Sequence, residues 1–246
     1  MERKTEEWFD TWFDSPYYHI LYKHRDEEEA RMLLDNLVNH LHMAPKHKIL
    51  DLACGKGRHS IYLNQLGLDV EGVDLSEQNI TYAQRFGNDR LHFAKHDMRE
   101  VYKREAFDFV VNIFTSFGYF ASDKEHQKAI QAIGKSLKPG GTLIIDFLNV
   151  YKIRHQLEPE TIIYSENIEF HIRRKIENEV IVKEISFWEK ERTYRFEERV
   201  KALTRKQFQQ FFEHAGMKCR EILGDYEMNP FVKEQSDRMI FIVDKI

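Results

Sequence analysis

The residues best placed to do chemistry stand in one short run, Asp51-Leu-Ala-Cys-Gly-Lys-Gly57, directly after the apolar pair Ile49 and Leu50. A strand that ends near an acid and runs into a glycine loop opening a helix lets backbone N–H groups approach a ligand closely. Asp74 ends the next apolar run, 17 residues after Gly57. A carboxylate there can accept both ribose hydroxyls of an adenosine. Loop and acid together suit any adenosine cofactor, so the loop itself must discriminate. A dinucleotide fingerprint needs a third glycine, as G-x-G-x-x-G, so that helix and strand pack closely around a pyrophosphate. Counting from Gly55, that position is Ser60, preceded by the bulky Arg58 and His59. Pyrophosphate binding is weakened accordingly. Cys54 reads as a small buried filler rather than a nucleophile, and His59 as a helix-packing residue.

The elements that must position these residues follow from periodicity. Residues 25–42 predict an amphipathic helix, with Ala30, Leu33, Leu34, Leu37, Val38 and Leu41 at three- and four-residue spacing. Strands are expected at 49–53, 69–74, 91–94, 109–114 and 142–147, with helices from Arg58 to Leu66, from a Ser76 cap, and from about Asp123 to Leu137. The turn Lys138-Pro-Gly-Gly141 precedes the fifth strand. Short apolar strands alternating with helices imply βαβ units and a buried parallel sheet. After Val150 the texture changes: residues 161–201 interleave β-branched and aromatic residues with charges, turning near Glu177-Asn178 and at Glu189–Glu191. That pattern predicts an antiparallel meander with one wet face. Thr204 then caps a helix that Gly216 stops, and two strands finish the chain.

With these motifs in order, the sequence resembles the class I S-adenosylmethionine-dependent methyltransferases. Asp51-Leu-Ala-Cys-Gly-Lys-Gly57 is similar to the family's first motif, which cups the methionine part of the cofactor, and Gly72-Val-Asp-Leu-Ser76 to the second, whose acid holds the ribose. His96-Asp-Met98 resembles the third, where Asp97 would face the adenine amine and Met98 pack on the ring. Phe107–Phe114 resembles the fourth strand, and Leu137-Lys-Pro-Gly-Gly-Thr-Leu143 the turn before the fifth. The resemblance implies an α/β, Rossmann-like fold: a seven-stranded, mostly parallel sheet with helices on both faces, the last strand inserted antiparallel, and an antiparallel β insertion. Tyr18-x-x-x-Tyr22-x-x-Arg25 is similar to the lid segment of sugar N-methyltransferases, where tyrosine and arginine close over the cofactor's carboxylate end.

The implied cofactor is S-adenosyl-L-methionine, with Tyr18, Arg25, Asp51, Ala53, Cys54, Gly55, Gly57, Asp74, Leu75, Asp97, Met98, Asn112 and Phe114 around it. Tyr22, Phe117, Tyr119 and Arg174 are expected on the acceptor side. The implied organisation is one domain over 1–246: an N-terminal lid and helix (1–45), a cofactor core (46–150), a β insertion over the acceptor pocket (158–201) and a last helix with two strands (202–246). The expected reaction is in-line methyl transfer to an N or O atom of a small molecule. An RNA or protein methyltransferase, or a catalytically silent cofactor-binding protein, is the alternative.

Composition narrows the field. Among 246 residues, 42% are hydrophobic and 13% aromatic, which excludes a disordered chain. Lys plus Arg number 37 against 41 Asp plus Glu, a net charge of −4, which disfavours a dedicated nucleic-acid binder. The base-methylation motif [DNS]-P-P-[YFW] is absent, the chain reading Asn112-Ile-Phe-Thr115. Two cysteines give neither a disulfide framework nor zinc-ligand spacing. No apolar stretch is long enough to span a membrane. The expected setting is cytoplasmic, and the sequence leaves a homodimer open.

Overall fold

Five parallel strands carry the site: β1 (Lys48–Leu52), β2 (Asp69–Asp74), β3 (Leu91–Lys95), β4 (Phe107–Asn112) and β5 (Leu137–Leu148). The computed structural model describes residues 12–13, 15–22, 27–114 and 116–246. With β10 (Met217–Leu223) and β11 (Arg238–Lys245) the strands form one seven-stranded sheet, in the order β10-β11-β5-β4-β1-β2-β3. β11 runs antiparallel between β5 and β10, as the resemblance implies. The chain enters at β1, moves outward to β3 and crosses back to β4, which pairs with β1 in parallel. That reversal leaves a crevice at the carboxyl ends of β1 and β4, where ligands of open α/β sheets bind.

Alternate strand residues serve two cores. Ile49, Val70, Val111 and Ile144 pack on one face with Leu33, Leu34, Leu37, Leu63 and Ile80 of α2 (Glu27–His40), α3 (Arg58–Gln65) and α4 (Glu77–Ala83). Leu50, Val110, Leu143 and Ile145 pack on the other with Ile130, Ile133, Phe208 and Phe212 of α5 (Asp123–Ser136) and α7 (Arg205–Glu213). Side-chain caps start three of these helices: Ser76 on α4, and capping boxes Ser122–Glu125 and Thr204–Gln207 on α5 and α7. No described helix is long and apolar enough to cross a membrane.

Three features differ from expectation. β5 begins at Leu137, before the Pro-Gly-Gly run: Leu137 pairs with Phe107 and Thr142 with Phe109, so residues 138–141 bulge out opposite Asp108. The Lys138 ammonium holds that bulge by donating to the Asp108 carboxylate at 2.8 Å. Two short helices had no periodicity to announce them, α1 (Pro16–Leu21) and α6 (Val150–Gln156). Both start on local side-chain caps, Ser15 and Asn149.

The insertion is a second sheet of β6 (Glu160–Ser165), β7 (Ile168–Glu177), β8 (Val180–Glu189) and β9 (Arg192–Lys201), antiparallel in chain order. Its hairpin turns are Glu166-Asn167, Asn178-Glu179 and Lys190-Glu191, every residue at positive φ, which matches the right-handed twist of the flanking strands. Phe170, Ile172, Ile185 and Phe187 face inward and bury Trp12 and Leu21 of the N-terminal segment. Tyr164 and Trp188 stand exposed on the opposite face.

Candidate active site

The loop after β1 forms a cradle. Ala53 and Gly55 both take left-handed φ, at 63° and 56°, and an added Cβ at Gly55 would meet nothing within 4 Å. The Gly55 N–H donates to Asp74 Oδ2 at 2.8 Å, and the Ser76 N–H donates to Asp74 Oδ1 at 2.8 Å. Asp74 therefore fixes the loop and the start of α4 together. Below the loop, Asp51 is 1% exposed and accepts from Ser60 Oγ at 2.6 Å. Burial pushes its carboxyl up to about 6, against the opposing hydrogen bond from Ser60. Burial, with the charges of Asp51 and Asp74, also pushes the Cys54 thiol well up, so it is no nucleophile.

The other walls come from the ends of β3 and β4 and from the N-terminal segment, around a cavity of about 500 Å³. Past β3, Arg99 grips Asp97 with Nε to Oδ1 at 3.0 Å and Nη2 to Oδ2 at 2.8 Å, then reaches Glu125 Oε1 at 3.0 Å. Past β4, Phe114 takes φ of 61°, and its ring stacks on His59 at 5.1 Å with the Arg58 guanidinium 4.9 Å from its centre. His59 Nε2 accepts from Arg58 Nε at 2.9 Å. Burial first, and the Arg58 charge second, press the imidazole down to about 3. A neutral ring with its lone pair engaged is a wall, not a base. Phe13, Tyr18, His19 and Tyr22 close the remaining side.

Of the residues singled out from sequence, Tyr18, Tyr22, Ala53, Cys54, Gly55, Asp74, Leu75, Asp97, Met98, Phe114 and Tyr119 line this cavity together. Others stand apart. Asp51 and Gly57 lie behind the loop, where a Cβ on Gly57 would come within 2.7 Å of the Phe93 ring. Asn112 is fully buried, donating from Nδ2 to Leu52 O at 2.8 Å, so it ties β4 to β1. Phe117 is a correction: its ring is fully buried against Phe120, His126 and Phe208 in the core. Arg174 is another, since it stands on β7 and spends its guanidinium on Thr161 Oγ1 at 2.8 Å. Arg25 lies outside the described residues. Among the described residues no group of three or more His, Cys, Asp or Glu side chains could hold a metal ion.

Known proteins share this architecture. A solved S-adenosylmethionine-dependent methyltransferase from Clostridium acetobutylicum superposes with a TM-score of 0.79 at 20% identity, over 93% of this chain and 97% of that one. YqeM of Bacillus subtilis, which carries a provisional methyltransferase name, is 28% identical over 81% of this chain and 85% of its own length. The dTDP-3-amino-3,4,6-trideoxy-α-D-glucopyranose N,N-dimethyltransferase of Streptomyces venezuelae is 33% identical, over 40% of this chain and 41% of its own length. Residues 49–141 match the methyltransferase-domain family. These residues carry a methyltransferase domain, on the fold of solved S-adenosylmethionine-dependent methyltransferases.

The methyltransferase's cavity fits that cofactor in size and chemistry. Its volume lies within the usual range for ligand sites. The open space at Gly55 admits a ligand against the backbone, carboxylates stand at Asp74 and Asp97, and Leu75 and Met98 offer apolar cover. Sequence reasoning overlooked several lining residues: Phe13, Lys56, Arg58, Asn79, Tyr82 and Arg99. One signal was available for Asn79 and Tyr82, which stand three apart on α4 and therefore share a face.

Proposed function

We propose that this domain transfers a methyl group to a nitrogen or oxygen atom of a small-molecule acceptor, held between the carboxyl edge of the main sheet and the N-terminal segment, which the four-stranded insertion backs. The observation that carries this reading is the aromatic wall that Phe13, Tyr18 and Tyr22 place on one side of the cavity, with Tyr119 against Phe13 at 5.5 Å between ring centres. Such a wall leaves room for a small acceptor rather than a polymer. The amino-sugar N,N-dimethyltransferase among the relatives supports nitrogen as the acceptor atom.

S-adenosylmethionine supplies a methyl group already activated on sulfonium. What remains for the chain is positioning: the acceptor's lone pair must stand about 3 Å from that methyl and in line with its bond to sulfur. In this reading Asp74 receives the ribose hydroxyls on the lone pairs left by Gly55 and Ser76, each carboxylate oxygen having more than one. Asp97, held flat by Arg99, faces the adenine edge, with Leu75 and Met98 against its faces. Ala53 and Gly55 cup the methionine portion, and Tyr18 covers its carboxylate end. Phe114, Tyr119 and Tyr22 bound the acceptor side, where aromatic faces attract a cationic sulfonium. His59 is unavailable as a base, so an amine would attack in its neutral form. The unbridged thiols of Cys54 and Cys219 support a cytoplasmic setting, and a homodimer is compatible because all these walls come from one chain.

Purified protein, S-adenosylmethionine and a panel of amino sugars, amino acids and small alcohols would be assayed for released S-adenosylhomocysteine. Turnover with at least one amine or alcohol is expected. Turnover with RNA or protein alone, or calorimetric cofactor binding with no transfer to any acceptor, would overturn the reading.

A further inference from the structure

The inner face of the four-stranded sheet is largely apolar, broken by Ser165, by Glu189, which takes the Tyr17 hydroxyl, and by one row of charges. Ile172, Ile185 and Phe196 stand in register across β7, β8 and β9; two residues along stand Arg174, Lys183 and Glu198; two further along stand Ile176, Ile181 and Val200. Residues two apart in a strand share a face. Charges therefore cross the sheet between apolar rows. Lys183 and Glu198 keep only 16% and 15% of their side-chain surface in solvent, with Nζ 3.7 Å from Oε2. An ion pair so placed is a poor source of stability, because lost hydration offsets the attraction. Its hydrogen bonds show what else it does. Glu198 Oε1 accepts from Trp12 Nε1 at 2.7 Å and from the Tyr22 hydroxyl at 2.6 Å. Lys183 donates to the same hydroxyl and lies 4.5 Å over the Tyr22 ring.

One carboxylate oxygen thus fastens the chain on both sides of α1, and Phe13, Tyr18, His19 and Tyr22 of that segment face the cavity. We propose that Glu198 is a positioning residue for the cofactor, latching the N-terminal segment over the cavity through Trp12 and Tyr22. Release of the cofactor product then requires both hydrogen bonds to open. Apolar packing such as Trp12 on Phe196, 4.4 Å between ring centres, makes the segment adhere but does not fix its angle. Directional bonds do: the Tyr17 hydroxyl on Glu189 and Ser165 Oγ on Ile20 O at 2.8 Å hold α1 itself, and the two bonds to Glu198 Oε1 hold the chain at its two ends. Lys183 holds the Tyr22 hydroxyl from the other side and balances the carboxylate. This inference rests on the cavity being the cofactor site and is independent of which acceptor is used.

The test reads the cofactor product alone, in the full chain: S-adenosylhomocysteine release, followed by stopped-flow displacement. Glu198→Ala should release it about tenfold faster and raise Kd by a similar factor, equivalent to about 1.4 kcal/mol. Glu198→Gln, which keeps an accepting oxygen, should restore most of the retention. Adding Tyr22→Phe to Glu198→Ala should cost less than Tyr22→Phe does alone, since the bond to Glu198 is already gone and only the Lys183 donation to the hydroxyl is left to lose. Glu197→Ala, whose carboxylate meets Arg199 on the outer face at 2.7 Å, serves as the control and should leave the rate unchanged. An unaltered rate in Glu198→Ala, or a fully additive double variant, overturns the latch. Should Glu198→Ala not fold, Trp12→Phe and Tyr22→Phe carry the same test: each removes one donor and should speed release, and no change in both is equally fatal.

Discussion

The backbone N–H of Phe114 donates to Asp146 Oδ2 at 2.9 Å, so a residue on the cavity wall takes its position from a carboxylate on the neighbouring strand β5. Phe114 holds a φ of 61°, a conformation that costs a non-glycine residue energy unless its surroundings impose it. Asp146 imposes it. That carboxylate is fully buried, accepts from Arg238 Nε on its other oxygen at 2.7 Å, and also takes the Tyr226 hydroxyl at 3.1 Å.

Replacing Asp146 should therefore injure stability and site together. Asp146→Ala removes the buried carboxylate that pairs with Arg238 and should cost about 3–5 kcal/mol in denaturant unfolding. Asp146→Asn keeps an acceptor for Phe114 N–H, so it should lose stability while binding S-adenosylmethionine better than the alanine variant. If Asp146→Ala unfolded within about 0.5 kcal/mol of the parent, the range of an ordinary surface change, this network would be irrelevant to both.

The two loop glycines should separate binding from folding. Gly57 has φ of 83° and would drive a Cβ to 2.7 Å from the Phe93 ring and 3.1 Å from Ala83 Cβ. Gly57→Ala should thus cost about 2–4 kcal/mol, joining left-handed strain to overpacking. Gly55→Ala meets open space, so only the strain of about 1–2 kcal/mol is expected in unfolding. Its methyl group stands where a ligand must approach, so cofactor affinity should fall further than stability does. Calorimetry beside denaturant titration decides, and equal cofactor affinity in Gly55→Ala and the parent would show that the loop is no cradle.

Those two glycines also show how far a sequence reading reaches. The loop, the acid of β2 and the strand sequence around them are local patterns, each written in a few adjacent residues, and they fold as their spacing suggests. Leu137 to Gly141 shows the opposite case. Pro-Gly-Gly reads as a turn by itself, but pairing of Leu137 with Phe107 draws it into β5 as a bulge. Phe114, Phe117 and Tyr119 stand in one aromatic loop, yet Phe117 turns into the core because Phe208 of α7, far along the chain, offers it a partner at 5.7 Å. Arg58 and His59 show in the sequence only as bulk and helix packing, because their place on the cavity wall depends on where the first turn of α3 points. Glu198 has no local signal: its meaning comes from Trp12, 186 residues away.

Asp74 has a double duty, which makes its variant informative. Both of its oxygens already accept backbone N–H groups, from Gly55 and Ser76 at 2.8 Å each. Asp74→Ala should weaken S-adenosylmethionine binding by about 1.5–3 kcal/mol through lost charge-assisted bonds. It should also loosen the loop, seen as faster amide exchange at Gly55 and Ser76. Unchanged affinity in calorimetry would remove Asp74 from the site, and unchanged exchange would remove it from the loop's support.

Two buried groups beside the loop should give stability opposite slopes in acid. His59 is pressed from 6.5 to about 3, so it is neutral in the fold while the unfolded chain takes up a proton below pH 6.5. Its contribution is complete above pH 6.5 and is lost as pH falls towards 3, up to about 5 kcal/mol. Asp51 is raised from 3.8 to about 6, so the fold holds its proton longer than the unfolded chain does. Its contribution is complete below pH 3.8 and is lost as pH rises to 6, about 3 kcal/mol. Between pH 4 and 6 the two oppose each other and flatten the profile. Asp51→Asn, whose amide oxygen can still accept from Ser60, removes the opposing slope and should make acid destabilisation steeper across that window. His59→Gln should leave the Asp51 slope exposed, so that stability declines as pH climbs from 4 to 6. Unfolding free energies measured by urea titration at half-unit steps from pH 4 to 7 test both. Parallel curves for the parent and the two variants would mean that neither group differs in protonation between the folded and unfolded chain.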